Sequence, residues 1–573
     1  MALDKAGPRR KRTKAADGGG DSPSPRTHIL TVGVEDYYQH TGFKGVIPPD
    51  RWRRFEARVE QNTARALDLL DEFGIRATFF TLGWIADRVP EVVRTISQRG
   101  HEVASKGYQH RSIREMGGPS GFREDVQRSR EAIERAPGFR VHGYRVARGT
   151  LTLDELWALD VLAEEGFAYD SSFYPRLWYV ASEPWRRFPH VHRWKDRELH
   201  ELPLSSFGPS WMAVPAAGGN YFRQLPEPVV SRLVDLWGRG TDAPFNMYFH
   251  VWELDPDLPR IEAVGWLTRV RQYRNLDRMP DRLRDHFGKH RFGCIADRLG
   301  LPLDHPVATR PPASAPAPKR AADAPAEEAG PRLPVTVVVP VFNEELSIPY
   351  LANTLSEVWA DLASRYDLYT VFVDDGSSDR TWESLHKHFG DHPGCEFVRH
   401  PENRGVAAAI LTGIRHARTA VVASIDCDCT YDPRQLAAMI PRLEDGVAMV
   451  TASPYHADGK VMNVPAWRLS LSKGLSFLYR RVLHNRLATY TACFRVYRRD
   501  AVEGVRLQHG GFLGVAEMLG RLDLAGARVV EHPAVLEVRM LGYSKMKVLR
   551  TIKGHLGLLA SLAADRVRGQ GAG

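Results

Sequence analysis

Residues 421–433 have the sequence VVASIDCDCTYDP, in which an apolar run ends in two aspartates one residue apart. The β-branched residues of the run predict a buried strand that ends near Asp426. Ligands of open parallel sheets bind beyond the carboxyl ends of the strands, so Asp426 and Asp428 are expected to face a crevice. Such a pair suits an octahedral Mg²⁺ or Mn²⁺ that also binds a substrate diphosphate. A turn with two solvated acids is the alternative, and the neighbouring segments decide between the two.

Two earlier segments in the same half of the chain show a similar pattern. Residues 334–345, PVTVVVPVFNEE, and residues 368–379, LYTVFVDDGSSD, are apolar runs that end in acids or amides. Three parallel strands that end in this way form the crevice that a nucleoside diphosphate needs. We therefore predict that side chains after the second strand bind the nucleoside, and that the acids after the third bind the metal and the diphosphate.

Residues 334–555 resemble the family 2 glycosyltransferases, and within that family the enzymes that transfer sugars to dolichyl or polyprenyl phosphates. The resemblance rests on the three segments above and on residues 491–499 (TACFRVYRR), 517–519 (EML) and 542–547 (GYSKMK). It implies the nucleotide-binding α/β fold called GT-A, a UDP- or GDP-sugar donor and Mg²⁺ or Mn²⁺ as cofactor. Attack on the face opposite the leaving diphosphate predicts inversion at the sugar.

The resemblance also assigns roles by position. A lipid phosphate acceptor is already an anion and needs little help from a base, whereas a sugar hydroxyl needs one, and Glu517 is then the candidate. A helix-surface acid is the alternative for Glu517. Pro454 stands where the family has an arginine for the acceptor phosphate, so a glycan acceptor is also open. The nucleotide-sugar is assigned to Pro340, Asn343, Glu344, Asp374, Asp375 and Asp426, the metal to Asp426 and Asp428, and the acceptor to Arg468, Ser472, Ser544 and Lys545.

Residues 28–300 alternate predicted strands and helices, which is typical of a parallel α/β sheet or barrel. Five segments in this part resemble the polysaccharide deacetylases of carbohydrate esterase family 4, in the subgroup linked to exopolysaccharide operons. That family has a deformed (β/α) barrel in which a divalent metal, often zinc, activates water to attack an acetyl group. The segments are residues 34–39 (VEDYYQ), 77–80 (ATFF), 100–105 (GHEVAS), 169–172 (YDSS) and 248–256 (YFHVWELDP).

The chain departs from that family at the positions that carry the chemistry. Gly33 replaces the aspartate base, and Lys106 replaces the first of two metal histidines, the second being His110. A protonated lysine cannot ligate zinc and instead supplies a positive charge of its own. We therefore expect a barrel that keeps a sugar-binding groove but has little deacetylase activity, and Zn²⁺ is left open. A rearranged metal site of Glu35, Asp36 and His110 is the alternative. The degenerate site comprises Glu35, Asp36, Lys106, His110, Arg145 and His250.

Length and composition set wider limits. The chain has 573 residues, too many for one hydrophobic core. Its net charge of +9 favours a negatively charged partner, and we expect a sugar nucleotide, a lipid phosphate or an anionic membrane rather than nucleic acid. Its five scattered cysteines suggest no disulfide framework and fit a reducing cytoplasm.

The ends of the chain and the connection between the halves have distinct compositions. Residues 1–27 contain the basic run PRRKRTK without an apolar segment after it, so we expect a disordered tail and no signal peptide. The sequence contains no apolar run of about 18 residues, so we predict no transmembrane helix. Residues 301–333 are rich in Ala and Pro and predict a flexible linker. Residues 546–568 predict an amphipathic helix that lies on a membrane or packs on the second domain, and 556–573 are assigned as C-terminal helix and tail.

These observations favour a metal-dependent inverting glycosyltransferase for cell-surface polysaccharide or glycolipid assembly, fused to a degenerate deacetylase domain. We expect it in the cytoplasm, peripherally on the inner face of the plasma membrane. A bifunctional enzyme with an active deacetylase is one alternative. A non-enzymatic assembly factor that uses its basic tail is another.

Overall fold

The computed structural model describes residues 26–135, 140–175, 182–208, 213–215, 217–303, 332–462, 466–542 and 548–569. Nearly all of the predicted basic tail and of the predicted linker lies outside these residues, and Thr27, assigned to the tail, begins the first strand. The chain divides into two compact units, which we describe separately. The first is Met1–Trp52, Ala57–Leu258 and Trp266–Pro316, and the second is Arg53–Glu56, Pro259–Gly265 and Ala317–Gly573.

The first unit alternates strands and helices as expected. Its strands are β1 (Thr27–Val34), β2 (Thr78–Thr81), β3 (Glu102–Ser105), β4 (Gly143–Tyr144), β5 (Tyr169–Asp170), β6 (His190–Trp194), β7 (Arg197–Glu201), β8 (Ser206–Phe207), β9 (Val214–Pro215), β10 (Asn246–His250) and β11 (Arg291–Gly293). Its helices are α1 (Val59–Asp71), α2 (Gly83–Arg88), α3 (Pro90–Gln98), α4 (Pro119–Arg135), α5 (Trp157–Glu164), α6 (Gly219–Gln224), α7 (Glu227–Gly240), α8 (Trp266–Tyr273), α9 (Met279–Lys289) and α10 (Ile295–Leu299).

The main sheet of the first unit has the strand order β10-β1-β2-β3-β4-β5-β7-β6, with β11 beside β1. Neighbouring strands from β10 to β7 are parallel. The segment after β7 leads back to β10, since Ser205 N donates to Asn246 O at 3.2 Å and Asn246 N donates to Ser205 Oγ at 2.9 Å. The sheet thus curls into the expected deformed α/β barrel. The carboxyl ends of its strands meet at one mouth.

The second unit is a three-layer α/β structure. Its strands are β12 (Leu333–Val341), β13 (Tyr366–Asp374), β14 (Cys395–Arg399), β15 (Val421–Ser424), β16 (Val447–Ser453), β17 (Lys460–Val461), β18 (Arg495–Arg498), β19 (Arg528–Pro533) and β20 (Val535–Leu536). Its helices are α11 (Ile348–Leu362), α12 (Thr381–Phe389), α13 (Val406–His416), α14 (Leu436–Met439), α15 (Ala466–Val482), α16 (Arg499–Val502), α17 (Phe512–Leu524) and α18 (Val548–Arg568).

The sheet of the second unit has the order β14-β13-β12-β15-β18-β16-β19. The four strands from β14 to β15 are parallel, whereas β18 is antiparallel to both of its neighbours. Alternate side chains of β12 contribute to the two apolar layers, one with α11 and α12 and the other with α13 and α17. This arrangement is the expected GT-A type of α/β fold. It places the carboxyl ends of β12, β13 and β15 side by side.

Helix α18 packs on the second unit through the apolar stripe that the sequence predicted. Leu558, Leu559 and Leu562 are buried in the layer that contains α17. The helices are so close that a β-carbon at Gly520 would lie 2.7 Å from a methyl group of Leu562. The sequence predicted that this helix lies on a membrane or packs on the second domain. Its apolar stripe packs on the second unit. Among the described residues, no helix combines the length and the apolar character that crossing a bilayer requires.

Candidate functional site

The pair Asp426 and Asp428 lies directly beyond the carboxyl end of β15, as the sequence predicted. Burial and the negative charge of Asp428 raise the pKa of Asp426 to about 7. A hydrogen bond from Cys493 and the charge of Arg539 oppose this shift. Two half-buried carboxylates that repel each other are suited to a divalent cation, because the cation removes the repulsion. The residues present therefore fit the Mg²⁺ or Mn²⁺ that the sequence implied.

Arg539 joins this acidic group, and no sequence pattern predicted it. Its Nη1 lies 3.5 Å from Asp428 Oδ2, and its Nη2 contacts the carboxylate of Glu344. Its Nε donates to Leu541 O at 2.6 Å, which fixes the guanidinium. No local pattern could show this, because Arg539 and Glu344 are far apart in the sequence. The one signal was its place just before the segment at Gly542, on which the resemblance partly rests.

Asp375 begins the polar turn after β13, and its carboxylate forms hydrogen bonds within the protein. It accepts hydrogen bonds from Arg404 N at 2.9 Å and from Gly405 N at 2.7 Å. His400 Nδ1 lies 2.7 Å from the same carboxylate. These bonds hold the turn that begins α13 against the end of β13. The predicted contact of Asp375 with the nucleotide stays a prediction.

Asp374 and Asn343 shape the adjoining turns. Asp374 accepts from Ser377 N at 2.9 Å and forms an ion pair with Arg399 at 3.0 Å. Asn343 has a φ of 52°, and its side-chain oxygen accepts from Ser378 N at 2.7 Å. The turns after β12 and β13 are thus tied together. Beside them is a cavity of about 300 Å³, lined by Gly376, Ser377, Arg399, His400 and Pro401.

Pro340 and Glu344 flank the carboxyl end of β12. Pro340 lies within β12, opposite Val373 of β13, and is buried. Glu344 is also buried and accepts from Ser347 Oγ at 2.9 Å in addition to its contact with Arg539. Glu344 therefore belongs to the group of charged residues around Asp428, and Pro340 is part of the strand that supports it.

Glu517 is fully buried on α17, which rules out the role of a helix-surface acid. Its carboxylate accepts from Gln508 N at 2.9 Å and from His509 N at 3.0 Å. His509 Nδ1 lies 2.8 Å away, and Arg521 Nε donates at 2.8 Å. Despite burial, these hydrogen bonds lower the pKa of Glu517. Glu517 thus holds the turn before α17, and its role as a base stays a prediction.

The residues assigned to the acceptor are only partly described. Ser472 lies on α15 and is half-buried. Arg468 belongs to the same helix, but its side chain lies outside the described residues, as do Ser544 and Lys545. The acceptor site therefore stays a prediction.

In the first unit, Glu35 brings together three of the residues assigned to the degenerate site. Its carboxylate lies 2.7 Å from Lys106 Nζ, 3.2 Å from His110 Nε2 and 3.1 Å from His250 Nδ1. Burial opposes its ionisation, but the charges of Lys106, His250 and His110 outweigh burial and hold the pKa of Glu35 well below its ordinary value. The ammonium of Lys106 is buried at the centre of this group. In the described part of the chain, no three His, Cys, Asp or Glu side chains are placed to hold a metal.

The side chains of His250 and Lys106, which contact Glu35, also occupy the space next to Gly33. A β-carbon at this position would lie 2.3 Å from His250 Nδ1 and 3.1 Å from Lys106 Nζ. An aspartate here would require the ring of His250 to turn away. The glycine at residue 33 therefore leaves the space that His250 and the ammonium of Lys106 occupy.

Asp36 and Arg145 have other partners. Asp36 accepts from Tyr37 N at 3.0 Å and from Arg58 N at 2.8 Å, and burial raises its pKa to about 7. It therefore secures the start of α1 and is not among the contacts of Glu35. Arg145 donates to Thr31 Oγ1 and to Ser171 Oγ, both at 2.8 Å. It spans the barrel interior between β1 and β5.

An aromatic cavity of about 380 Å³ opens beside His250. Trp252 Nε1 and Asn220 Oδ1 lie in its wall, and both are buried without a hydrogen-bond partner in the described residues. Aromatic faces with a few inward polar atoms are typical of a site for a small polar ligand such as a sugar. The cavity is lined by His40, Tyr174, Val214, Asn220, Tyr221, Arg223, Tyr248, His250, Trp252, Glu253 and Arg271.

Asp170 and Glu201 form a buried acid pair at the ends of β5 and β7, and it predicts a pH effect on stability. Burial and the charge of Asp170 raise the pKa of Glu201 well above its ordinary value. The folded protein thus keeps a proton that the unfolded chain releases near pH 4.5, so stability falls as the pH rises above that value. We expect Glu201→Gln to abolish this loss, which is about 1.4 kcal/mol for each unit by which the pKa is raised.

The measurement is thermal unfolding of the wild type and Glu201→Gln between about pH 5 and pH 9. The difference in Tm should grow with pH in favour of the variant. Glu198→Gln is the matched control, because Glu198 lies on the same strand but is exposed. A constant difference across this pH range would show that the acid pair does not hold an extra proton.

Comparisons with known proteins support a division of the chain into two parts. Residues 336–506 match the family model "Glycosyl transferase family 2". Residues 51–166 match "Polysaccharide deacetylase". Residues 171–299 match "Domain of unknown function (DUF3473)", and ten of the eleven residues that line the aromatic cavity fall in this range.

The curated relatives match only part of the chain. A dolichol-phosphate mannosyltransferase from Pyrococcus furiosus is 29% identical over 215 residues, which are 37% of this chain and 59% of the relative. A dodecaprenyl-phosphate galacturonate synthase from Rhizobium johnstonii is 27% identical over 232 residues, 40% of this chain and 66% of the relative. The chain thus spans less than two thirds of the length of either relative. The solved structure of glucosyl-3-phosphoglycerate synthase from Mycobacterium tuberculosis matches with a TM-score of 0.32 and 16% identity, covering 41% of this chain and 80% of that protein.

The family matches agree with the geometry in both units. The acids at the ends of β12, β13 and β15 lie within the glycosyl transferase match. Arg539, which contacts them, lies beyond the matched residues. Residues 336–506 of the second unit are therefore similar to the family 2 glycosyl transferases, and residues 51–166 of the first unit are similar to the polysaccharide deacetylases.

Proposed function

We propose that the second unit is a metal-dependent, inverting glycosyltransferase that moves a sugar from a UDP- or GDP-sugar to a lipid phosphate or a glycan. The observation that carries the proposal is the half-buried pair Asp426 and Asp428 at the end of β15, in which desolvation and the charge of Asp428 raise the pKa of Asp426 to about 7. A pair of this kind, next to the ends of two other parallel strands, suits a cation and a nucleoside diphosphate.

Asp426 and Asp428 would hold the Mg²⁺ or Mn²⁺, which when bound supplies positive charge to the leaving diphosphate. Arg539 is fixed 3.5 Å from Asp428 and adds a guanidinium on the same side. Because it is held by Glu344 and Leu541 O, its charge is in place before the bond to the sugar breaks. The cavity beside Ser377 would take the nucleoside.

A lipid phosphate is the acceptor that the relatives favour. Both curated relatives described above are named for lipid phosphates. A phosphate acceptor needs no strong base, which agrees with the engagement of the Glu517 carboxylate by Gln508, His509 and Arg521. A glycan acceptor remains the second candidate, because Pro454 stands where the resemblance implies an arginine.

The test is turnover of UDP- and GDP-sugars by the full chain, with Mn²⁺ or Mg²⁺ and with polyprenyl phosphate or an oligosaccharide as acceptor. We expect metal-dependent release of the nucleoside diphosphate that is accelerated by polyprenyl phosphate. Acceleration by the oligosaccharide alone would assign a glycan acceptor. No release from any donor would contradict the proposal and favour an assembly factor.

For the first unit we propose a sugar-binding domain that has lost metal-dependent hydrolysis. The ammonium of Lys106 lies 2.7 Å from Glu35, between the residues that the resemblance assigns to the metal. The aromatic cavity next to His250 keeps the shape and the polar atoms that a sugar needs. A glycan-binding domain in the same chain as a glycosyltransferase fits assembly of a cell-surface polysaccharide or glycolipid. An active deacetylase would make the chain bifunctional.

A further inference from the structure

A second cavity of the first unit shares His40 with the aromatic cavity. Its volume is about 370 Å³, which is within the range of roughly 300–1,000 Å³ for small-ligand sites. Its lining comes from the segments that follow β1, β3 and β4, so it lies at the mouth of the barrel. The centre of the His40 ring lies 5.5 Å from that of Trp252, which lines the aromatic cavity. The two cavities are therefore neighbours.

Cations predominate in the lining of this second cavity, which we call the basic cavity. Lys44, Arg111 and Arg148 line it, and Glu115 is the one acid among the lining residues that the structure describes. Lys44 and Arg148 both contact Oε1 of Glu115, Arg148 at 2.5 Å. Two cations that share one carboxylate keep a net positive charge, which attracts a second anion into the cavity.

The two cations of this group are also partly removed from water. Arg148 exposes 16% of its side chain, and burial lowers its pKa below the ordinary value. Desolvation and the charge of Arg148 lower the pKa of Lys44. A guanidinium with little access to water binds a carboxylate or a phosphate more strongly than a fully hydrated one does, through paired hydrogen bonds. The basic cavity thus favours an anion over a neutral group.

Neutral donors and an aromatic ring complete the lining. Gln39 is buried, and its Oε1 accepts from Asp36 N at 2.8 Å, whereas its Nε2 has no hydrogen-bond partner among the described residues. His40 Nδ1 accepts from Gly42 N at 3.1 Å, so the neutral ring carries its proton on Nε2. Burial lowers the pKa of His40 to about 4, which keeps the ring neutral near neutral pH. Trp52 adds an aromatic surface of the kind that packs against a sugar ring.

We propose that the first unit binds an acidic polysaccharide, with the anionic group of one sugar in the basic cavity and the ring of a neighbouring sugar in the aromatic cavity. The anionic group is a carboxylate or a phosphate, because both present oxygens that Arg148 and Lys44 can bind together. The inference rests on the sugar-binding function proposed for this unit and names the class of sugar.

The experiment is calorimetric titration of the full chain with oligogalacturonate and oligoglucuronate, each compared with its methyl ester. The ester keeps the sugar but removes the charge, so each pair isolates the anionic group. We expect the acid of at least one pair to bind roughly tenfold more tightly than its ester, and added salt to reduce this difference. A phosphorylated mannose oligosaccharide is the third ligand. Tighter binding of this ligand than of either acid would assign the anionic group as a phosphate.

Two variants test the basic cavity in opposite directions. Arg148→Gln should bind the acidic oligosaccharide roughly tenfold more weakly and its ester equally well. Glu115→Gln should bind the acid more tightly than the wild type does, because it frees both cations for the ligand, and a misfolded variant cannot give this result. Arg193→Gln is the matched control, because Arg193 is exposed in the same unit and pairs with Glu198 at 3.0 Å. It should bind like the wild type.

Equal affinity of the wild type for each acid and its ester would overturn the proposal of an acidic polysaccharide but would leave the sugar-binding function intact. Unchanged affinity for the acid in both Arg148→Gln and Glu115→Gln would also overturn it. Binding would then belong to another part of the chain, such as the basic run of residues 8–14. No binding of any oligosaccharide would contradict both the acidic ligand and the sugar-binding function.

Discussion

Asp428→Asn is expected to lower the turnover of the sugar nucleotide by at least about 10²-fold. The substitution keeps the size of the side chain and its hydrogen bond from Thr430 N, but removes one of two negative charges that would hold the cation. Without the negative charge of Asp428 the cation would bind more weakly, so less positive charge would stabilise the leaving diphosphate. The measurement is release of UDP or GDP at increasing Mn²⁺, with the Mn²⁺ dependence of nucleotide binding as a second readout.

Asp445→Asn is the control for this prediction. Asp445 is an exposed acid of the same unit that pairs with Arg498, and its loss should leave turnover unchanged. If Asp428→Asn kept the wild-type rate and the wild-type Mn²⁺ dependence, the paired carboxylates would not be the metal site. The polar turns after β12 and β13 would then have to bind the diphosphate without them.

Lys106→His is expected to turn the first unit from a protein without zinc into one that binds it. The substitution removes a buried ammonium and places an imidazole four residues before His110, next to Glu35 and His250. In the absence of zinc the variant loses the ammonium that pairs with Glu35, which should lower the free energy of unfolding by about 3–5 kcal/mol. Zinc should restore that stability, because it replaces the lost positive charge.

The measurements are the zinc content after dialysis and the rise of Tm on addition of zinc, in the wild type and in Lys106→His. Lys195→His is the control, because Lys195 is exposed on the same unit. Adding Gly33→Asp to Lys106→His should give measurable release of acetate from acetylated sugars, provided that His250 turns to admit the new side chain. A wild type that holds zinc and releases acetate as fast as this double variant would contradict the loss of hydrolysis and support the bifunctional enzyme.

The first strands of each unit could be predicted from the sequence because each of these strands is a local apolar run. Residues 334–345, 368–379 and 421–433 each form a strand and end in polar turns, and parallel pairing then requires their carboxyl ends to meet. The same reasoning placed Asp426 and Asp428 at the end of β15. Departures from a family pattern, such as Gly33 and Lys106, are also visible in the sequence alone.

The hydrogen-bond partners of each acid could not be predicted in this way. Asp375 and Glu517 have the residue types that a nucleotide or a base requires, yet their carboxylates accept hydrogen bonds from the protein itself. Arg539 carries no motif, and it reaches Asp428 only because the segment after β20 lies beside the end of β15. Whether a carboxylate faces a ligand or a backbone N–H depends on contacts between distant segments.

The sequence by itself determined the two domains, the strands and the pair of aspartates, since all of these depend on residues close together in the chain. The tertiary structure decided which charges meet: Lys106 with Glu35 in the first unit, and Arg539 with Glu344 and Asp428 in the second. It also decided that α18 buries its apolar stripe whereas α15 leaves apolar residues exposed. The physical reason is that burial and electrostatic energy depend on distance in space, which local sequence patterns do not contain.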